Sequence, residues 1–199
     1  MKNILHIISS PRGESSYSVR LGNAIIEKIE NLHPGSQTKT RNVAQDNLPH
    51  LSSSHLESFF TPPDLWTDAN KEVLRESHEA IAQVQEADII VIGVPLYNFG
   101  MPSTLKSWID HIVRAGQTFS YGANGPQGLL KDKKVYVALA SGGVYSDGPM
   151  QHFDSVAPYL KNVFSFIGIT DFEVVRVEGT SVPDLMETAL EKGINSIAI

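Results

Sequence analysis

Residues Val94–Tyr121 read VPLYNFGMPSTLKSWIDHIVRAGQTFSY. The apolar run Ile89-Ile90-Val91-Ile92-Gly93-Val94 leads into them and predicts a buried central strand. Pro95, Asn98, Gly100 and Pro102 then turn the chain, because these residues fix or permit unusual backbone angles. Ser103 or Thr104 opens a helix whose Leu105, Trp108, Ile109, Ile112 and Val113 share one face, with its pattern running to about residue 115. In an open α/β sheet, ligands bind beyond the carboxyl ends of the strands. The polar-aromatic loop between this strand and helix is therefore read as the seat of a flat aromatic cofactor.

Towards the N-terminus, Ile4–Ile8 reads as a first strand. It runs into Ser9-Ser10-Pro11-Arg12-Gly13-Glu14-Ser15-Ser16-Tyr17-Ser18, after which Val19, Leu21, Ala24, Ile25, Ile26 and Ile29 repeat with helical spacing. A strand, a hydroxyl-rich turn and a helix start can form an anion site, because free N–H groups at the helix end point at the ligand. The same serines also suit a plain helix cap. The turn has neither the G-x-x-x-x-G-K-[ST] of triphosphate sites nor the G-x-G-x-x-G of dinucleotide sites. If it holds an anion, a terminal monophosphate suits it. Arg12 either assists or is merely solvated.

His33-Pro34-Gly35-Ser36 breaks that helix, and Thr38, Thr40 and Asn42 alternate as in a polar edge strand. Residues 44–64 make a long connection, the kind that is functional or mobile. Within it, Phe59 and Phe60 are adjacent apolar residues in a polar loop: a lid, a subunit patch or a satellite core. A helix is expected over 65–87. Beyond the opening stretch, residues 116–128 read as a glycine-rich loop carrying Phe119 and Tyr121. Val135–Leu139 is a further strand, ending in Ala140-Ser141-Gly142-Gly143. Paired glycines let backbone N–H groups approach a ligand, or simply make a tight turn. Val156–Ile167 and Asp184–Ile197 read as helices and Phe172–Val177 as a strand. No repeat or linker divides the chain, so residues 1–199 are read as a single domain.

Composition narrows the function. A net charge of -6 argues against a nucleic-acid partner. The absence of cysteine removes disulfides, thiolate metal sites and cysteine nucleophiles together. The apolar start, Met-Lys-Asn-Ile-Leu-His-Ile-Ile, is too short for a secretory signal. No run approaches the roughly 18 apolar residues of a membrane span. A soluble, cytoplasmic protein is expected. The seven histidines show no metal-ligand spacing, so no metal is expected. Asp110 and His111, as neighbours on a helix, do not face each other as a dyad.

Five strands alternating with about five helices predict a doubly wound parallel sheet. In the flavodoxin-like order 2-1-3-4-5, the loops after strands one, three and four open on one edge at the switch point. The first would hold a phosphate and the other two would sandwich a ring, which is the shape of FMN. Three segments carry a more specific likeness: P-L-Y-N-F-x-x-P-S-x-L-K-x-W-I-D from Pro95, R-A-G-x-T-F-x-Y from Arg114 with N-G-P-x-G from Asn124, and F-I-G-I-T-D at 166–171. In these, over essentially its whole length, the chain resembles the FMN-dependent NADH:quinone and azo-compound reductases of the flavodoxin-like superfamily.

The resemblance implies tightly but non-covalently bound FMN. Ser10, Ser16, Tyr17 and Ser18 would lie at its phosphate end, Leu96, Tyr97, Asn98 and Phe99 around its ring, and Ala140, Ser141, Gly142 and Gly143 at the pyrimidine side. Where the family often has Ser-Arg-Gly-Gly, this chain has Ala-Ser-Gly-Gly, which keeps the backbone donors and changes the side chains. The resemblance also implies a homodimer with two FMN sites and a ping-pong reaction from NADH to quinones or azo compounds. Phe119, with Phe59 or Phe60 of the partner chain, would flank the substrate. No catalytic side chain is expected, since flavin N5 carries the hydride. Two rivals share the fold: a flavodoxin-type electron carrier without its own substrate, and a flavin-free binding module. Carriers ring their flavin with acids. Here 95–102 contains none and Asp147 is the only one in 141–148, which favours two-electron chemistry.

Overall fold

Every residue of the strand Ile89–Pro95 is buried, the signature of a strand covered on both faces. The computed structural model describes residues 1–46 and 48–199. Its elements are β1 (Asn3–Ile8), α1 (Tyr17–Leu32), β2 (Gln37–Asn42), α2 (Ser53–Phe60), α3 (Asp68–Glu86), β3 (Ile89–Pro95), α4 (Ser103–Ile112), β4 (Phe119–Gly122), β5 (Gly125–Gly128), β6 (Lys134–Ala140), α5 (Val156–Phe166), β7 (Asp171–Val177) and α6 (Ala189–Asn195). The main sheet runs β2-β1-β3-β6-β7, parallel throughout. Counted among its own five strands, that is the expected order 2-1-3-4-5, with the polar strand at the edge.

Register decides where ligands can go. Ile8 pairs with Gly93, Pro95 with Ala140, and Ala140 with Val177. The carboxyl ends of β1, β3, β6 and β7 therefore finish on one edge, and the loops that follow leave together. Alternate residues of each strand serve the two faces. Ile4, Val91, Tyr136 and Val175 pack with Leu21, Ile25 and Ile29 of α1 and Ala189 of α6. Leu5, Ile90, Ile92 and Val137 pack with Ile81 and Val84 of α3, Trp108 of α4 and Leu160 of α5. Among the described residues no helix is long and apolar enough to cross a membrane.

Several boundaries differ from expectation; α3 starts at Asp68, capped by Thr67, rather than at 65. Phe59 and Phe60 are not in a polar loop but end α2, whose first turn is tied by the Ser52 N–H donating to His55 Nδ1 at 3.2 Å. The glycine-rich stretch after α4 is an antiparallel hairpin, β4–β5. Its glycines hid a strand pattern for different reasons: Gly125 makes the turn at φ 98°, and a Cβ on Gly128 would lie 2.2 Å from the backbone N of Gly168. Helix α4 stops at Ile112, because the Thr118 hydroxyl donates to the Ile112 carbonyl at 2.7 Å and accepts the Arg114 N–H at 3.0 Å. The C-terminal helix is shorter than 184–197. Thr180 and Ser181 are drawn onto the loop after β6, and a run of turns precedes α6.

Candidate functional site

At the start of α1, Ser16 occupies the cap position, but its side chain makes no capping bond. Its hydroxyl instead lies 3.0 Å from that of Ser18, and both residues are buried. The plain-cap reading thus fails for Ser16, and among the described residues no side chain caps the first turn of the helix. Ser10, also buried, accepts the Arg12 N–H at 3.3 Å and so shapes the turn from behind. Arg12 and Tyr17 stand at its mouth.

After β3, Tyr97 and Gly100 close a tight turn around Asn98 (φ 49°) and Phe99 (φ 62°). Two residues of positive φ are what a type I′ turn demands. Asn tolerates this region, whereas Phe is strained there by about 1 kcal/mol. The surroundings hold it: the Phe99 ring stacks on Phe153 at 4.7 Å, and the Ser155 hydroxyl donates to the Phe99 carbonyl. Non-glycine residues held at positive φ cluster at functional sites. The Leu96 N–H donates to the Ala140 carbonyl at 2.8 Å and ties this loop to the next.

That next loop, Ser141–Gly143, is held by its carbonyls. Ser141 O accepts from the N–H and hydroxyl of Thr180, Gly142 O from the Ser181 N–H, and Gly143 O from the Gly179 N–H and the Ser141 hydroxyl. Among the described residues, nothing takes up the N–H groups of Gly142 and Gly143. A Cβ on Gly142 would meet Ser181 Oγ at 2.8 Å, so glycine keeps this approach open. Farther on, Asp147 turns its carboxylate onto the Gly148 N–H. Glu178 accepts the N–H groups of Tyr145 and Ser146 and lies 3.4 Å from Arg176.

These loops converge on a cavity of about 280 Å³. Its lining includes Arg12, Ser16 and Tyr17, then Leu96 and Tyr97, then Ala140, Ser141 and Gly142, with Thr180 and Ser181 from beyond β7. It holds one cation and no carboxylate, and its donors are backbone N–H groups and hydroxyls. That set fits a phosphate ester with a flat ring. Ser10, Ser18, Asn98, Phe99 and Gly143 stand behind or beside the lining rather than in it. Thr180 and Ser181 escaped the sequence reading. They lie in a nondescript turn and reach the cavity only because β7 sits beside β6.

Phe59, Phe60 and Phe119 are brought together elsewhere, in a second cavity of about 340 Å³ at the carboxyl end of α4. The two cavities share no lining residue. In sequence, α4 leads from the loop beside the first cavity to the wall of the second, which its own Asp110 already lines.

A fold built this way, with its cavity at the switch point, is flavodoxin-like, and the model of the flavodoxin-like fold family matches residues 2–198. A protein of Aromatoleum aromaticum named FMN-dependent NADH:quinone oxidoreductase is 48% identical over 180 residues, covering 90% of this chain and 89% of its own. A Paraburkholderia phymatum protein of the same name is 44% identical over 199 residues, covering 100% and 99%. Among solved structures, an azoreductase from Bacillus anthracis superposes with a TM-score of 0.90 at 30% identity, covering 98% of this chain and 96% of that one. A second, an FMN-dependent NADH-azoreductase from the same species in complex with FMN, gives 0.85 at 30% identity over 98% and 97%. The chain belongs to the family of FMN-dependent NADH:quinone oxidoreductases and azoreductases.

Proposed function

We propose that this protein is an FMN-dependent NADH:quinone oxidoreductase that also reduces azo compounds, in a ping-pong order, with residues 1–199 forming one domain. The observation that carries the reading is the convergence, on one carboxylate-free cavity, of the uncapped start of α1, Tyr97 from the strained turn and Gly142 with its free N–H, Gly143 standing beside it. When bound, FMN supplies two-electron hydride transfer between NADH and the acceptor.

The chain's own residues bind and orient. The first turn of α1, with Ser16, Ser18 and Arg12, takes the phosphate, where the helix end and free N–H groups favour negative charge. Leu96, Tyr97, Asn98 and Phe99 hold one edge of the ring and leave a face open. The Gly142 and Gly143 N–H groups stabilise negative charge at the pyrimidine side, as preorganised donors do. The working form is a homodimer in the cytoplasm. Phe59, Phe60 and Phe119, in a cavity that shares no lining residue with the chain's own flavin cavity, serve the acceptor beside the partner's.

The rival reading, a substrate-free electron carrier, needs acids around the ring. The cavity wall has none, and Asp147 and Glu178 are engaged: Asp147 by backbone, Glu178 by backbone and Arg176. The test is an absorption spectrum of the purified protein, then turnover. A yellow protein that oxidises NADH when a quinone or azo dye is added supports the reading. A colourless protein that takes up no FMN overturns it.

A further inference from the structure

The second cavity contains a charge that no acid among the described residues balances. Arg114 lines it and is only 4% exposed. Among the described residues no carboxylate lies within ion-pair distance of its guanidinium. The one acid in the cavity wall, Asp110, is engaged by Lys106 at 2.6 and 2.8 Å. One guanidinium nitrogen of Arg114 donates to Ser77 Oγ at 3.0 Å, and its central carbon lies 4.4 Å from the centroid of Phe59. Its Nε is buried without a partner.

The neighbours do not help. His78 and His111 are each pushed towards the neutral form by burial and by the Arg114 charge itself, and His55 by burial. Burial pulls Arg114 down to about 10, with no carboxylate opposing it, so it stays charged at neutral pH. A buried cation is costly unless paired and fully hydrogen-bonded. The counter-charge therefore has to come from outside the chain. The backbone that carries Arg114 is already fixed by Thr118, so the group is preorganised for it.

The rest of the wall states what carries that charge. Phe60 and Tyr121 stand exposed at the rim, Tyr121 edge-on to Phe119 at 5.6 Å, with Leu51 and Leu56 beside them. Flat aromatic and aliphatic surfaces around a single guanidinium suit a planar ring bearing one anionic substituent. We infer that this cavity is an acceptor pocket selective for aromatic anions, with Arg114 as the residue that recognises their carboxylate or sulfonate. The inference rests on the reductase reading above, because there Phe59, Phe60 and Phe119 flank the acceptor.

The test uses FMN-loaded protein with azobenzene-4-carboxylate and its neutral mimic, azobenzene-4-carboxamide. Without NADH, titration calorimetry should show the acid binding about tenfold tighter than the amide, the scale of a charge-assisted contact. Arg114→Met should bring that ratio to about one, and Arg114→Lys should leave it between the two. Equal or weaker binding of the acid to the unaltered protein overturns the inference, and so does a ratio that survives Arg114→Met. If Arg114→Met does not fold, the ratio in the unaltered protein and its reduction in Arg114→Lys decide. Adding NADH separates the two claims. Acid preference without turnover of any quinone or dye keeps the pocket and removes the reductase, whereas quinone turnover without acid preference does the reverse.

Discussion

Tyr97 and Gly100 exchange both of their backbone hydrogen bonds, at 2.9 and 2.8 Å, and so force Asn98 and Phe99 into left-handed backbone geometry. Phe99→Gly would relieve about 1 kcal/mol of strain and lose a stacked pair worth about the same. Thermal stability of the apoprotein should therefore change little, while affinity for FMN falls as the loop loses its packing on Phe153. A melt and a flavin titration on the same samples check this; a large loss of stability with unchanged affinity would contradict it.

Ser16 and Ser18 share a buried hydrogen bond and cap nothing. Replacing either by Ala should weaken FMN binding by about tenfold, the value of one hydrogen bond to a charged group. Riboflavin, which has no phosphate, should bind the variants and the unaltered protein alike. Equal losses for both flavins would place the serines away from the phosphate.

Gly142→Pro removes a free N–H, whereas Gly142→Ala keeps it and asks only that the Ser181 hydroxyl turn aside. FMN affinity should fall by more than about tenfold for Pro, and much less for Ala, if the N–H is a donor to the flavin. Fluorescence titration separates the two, and equal affinities would remove the glycine from that role.

His6 lies beneath α1, with the space for a Cβ on Gly22 only 2.9 Å from its Nε2, and that nitrogen has no partner. Burial holds its pKa down to about 4. Between pH 6.5 and 4 the unfolded chain takes up a proton that the folded chain refuses. Stability is thus full above pH 6.5 and declines as pH falls to about 4, by about 3 kcal/mol from this residue. His6→Leu should flatten that part of the profile. Urea melts of both proteins at pH 7.5, 5.5 and 4.5 measure the difference, and parallel profiles would show that His6 does not titrate there.

Much of the fold was legible because it rests on local patterns. The run at 89–94 has no polar residue to place on a solvent face, so it belongs in the middle of a sheet, and it does. The spacing of Leu105, Trp108, Ile109 and Ile112 makes α4 without reference to anything distant. The hairpin at 119–128 was illegible because Gly125 serves its turn and Gly128 answers to Gly168, forty residues away, and neither to a strand's own alternation. Phe59 and Phe60 read as loop residues because proline and serine surround α2.

By itself the sequence determined the strands, the helices and their alternation in a doubly wound sheet, since hydrophobic period and turn chemistry are properties of neighbouring residues; the strand order that gathers three loops at one edge came with the flavodoxin-like likeness and was borne out by the pairing. Only the tertiary structure brought Thr180 and Ser181 to the first cavity, spared Ser16 from capping, and moved Phe59, Phe60 and Phe119 into a cavity of their own around an unbalanced Arg114. Those outcomes depend on which carbonyls, hydroxyls and charges find partners across the fold, and such pairings join residues that no local pattern connects.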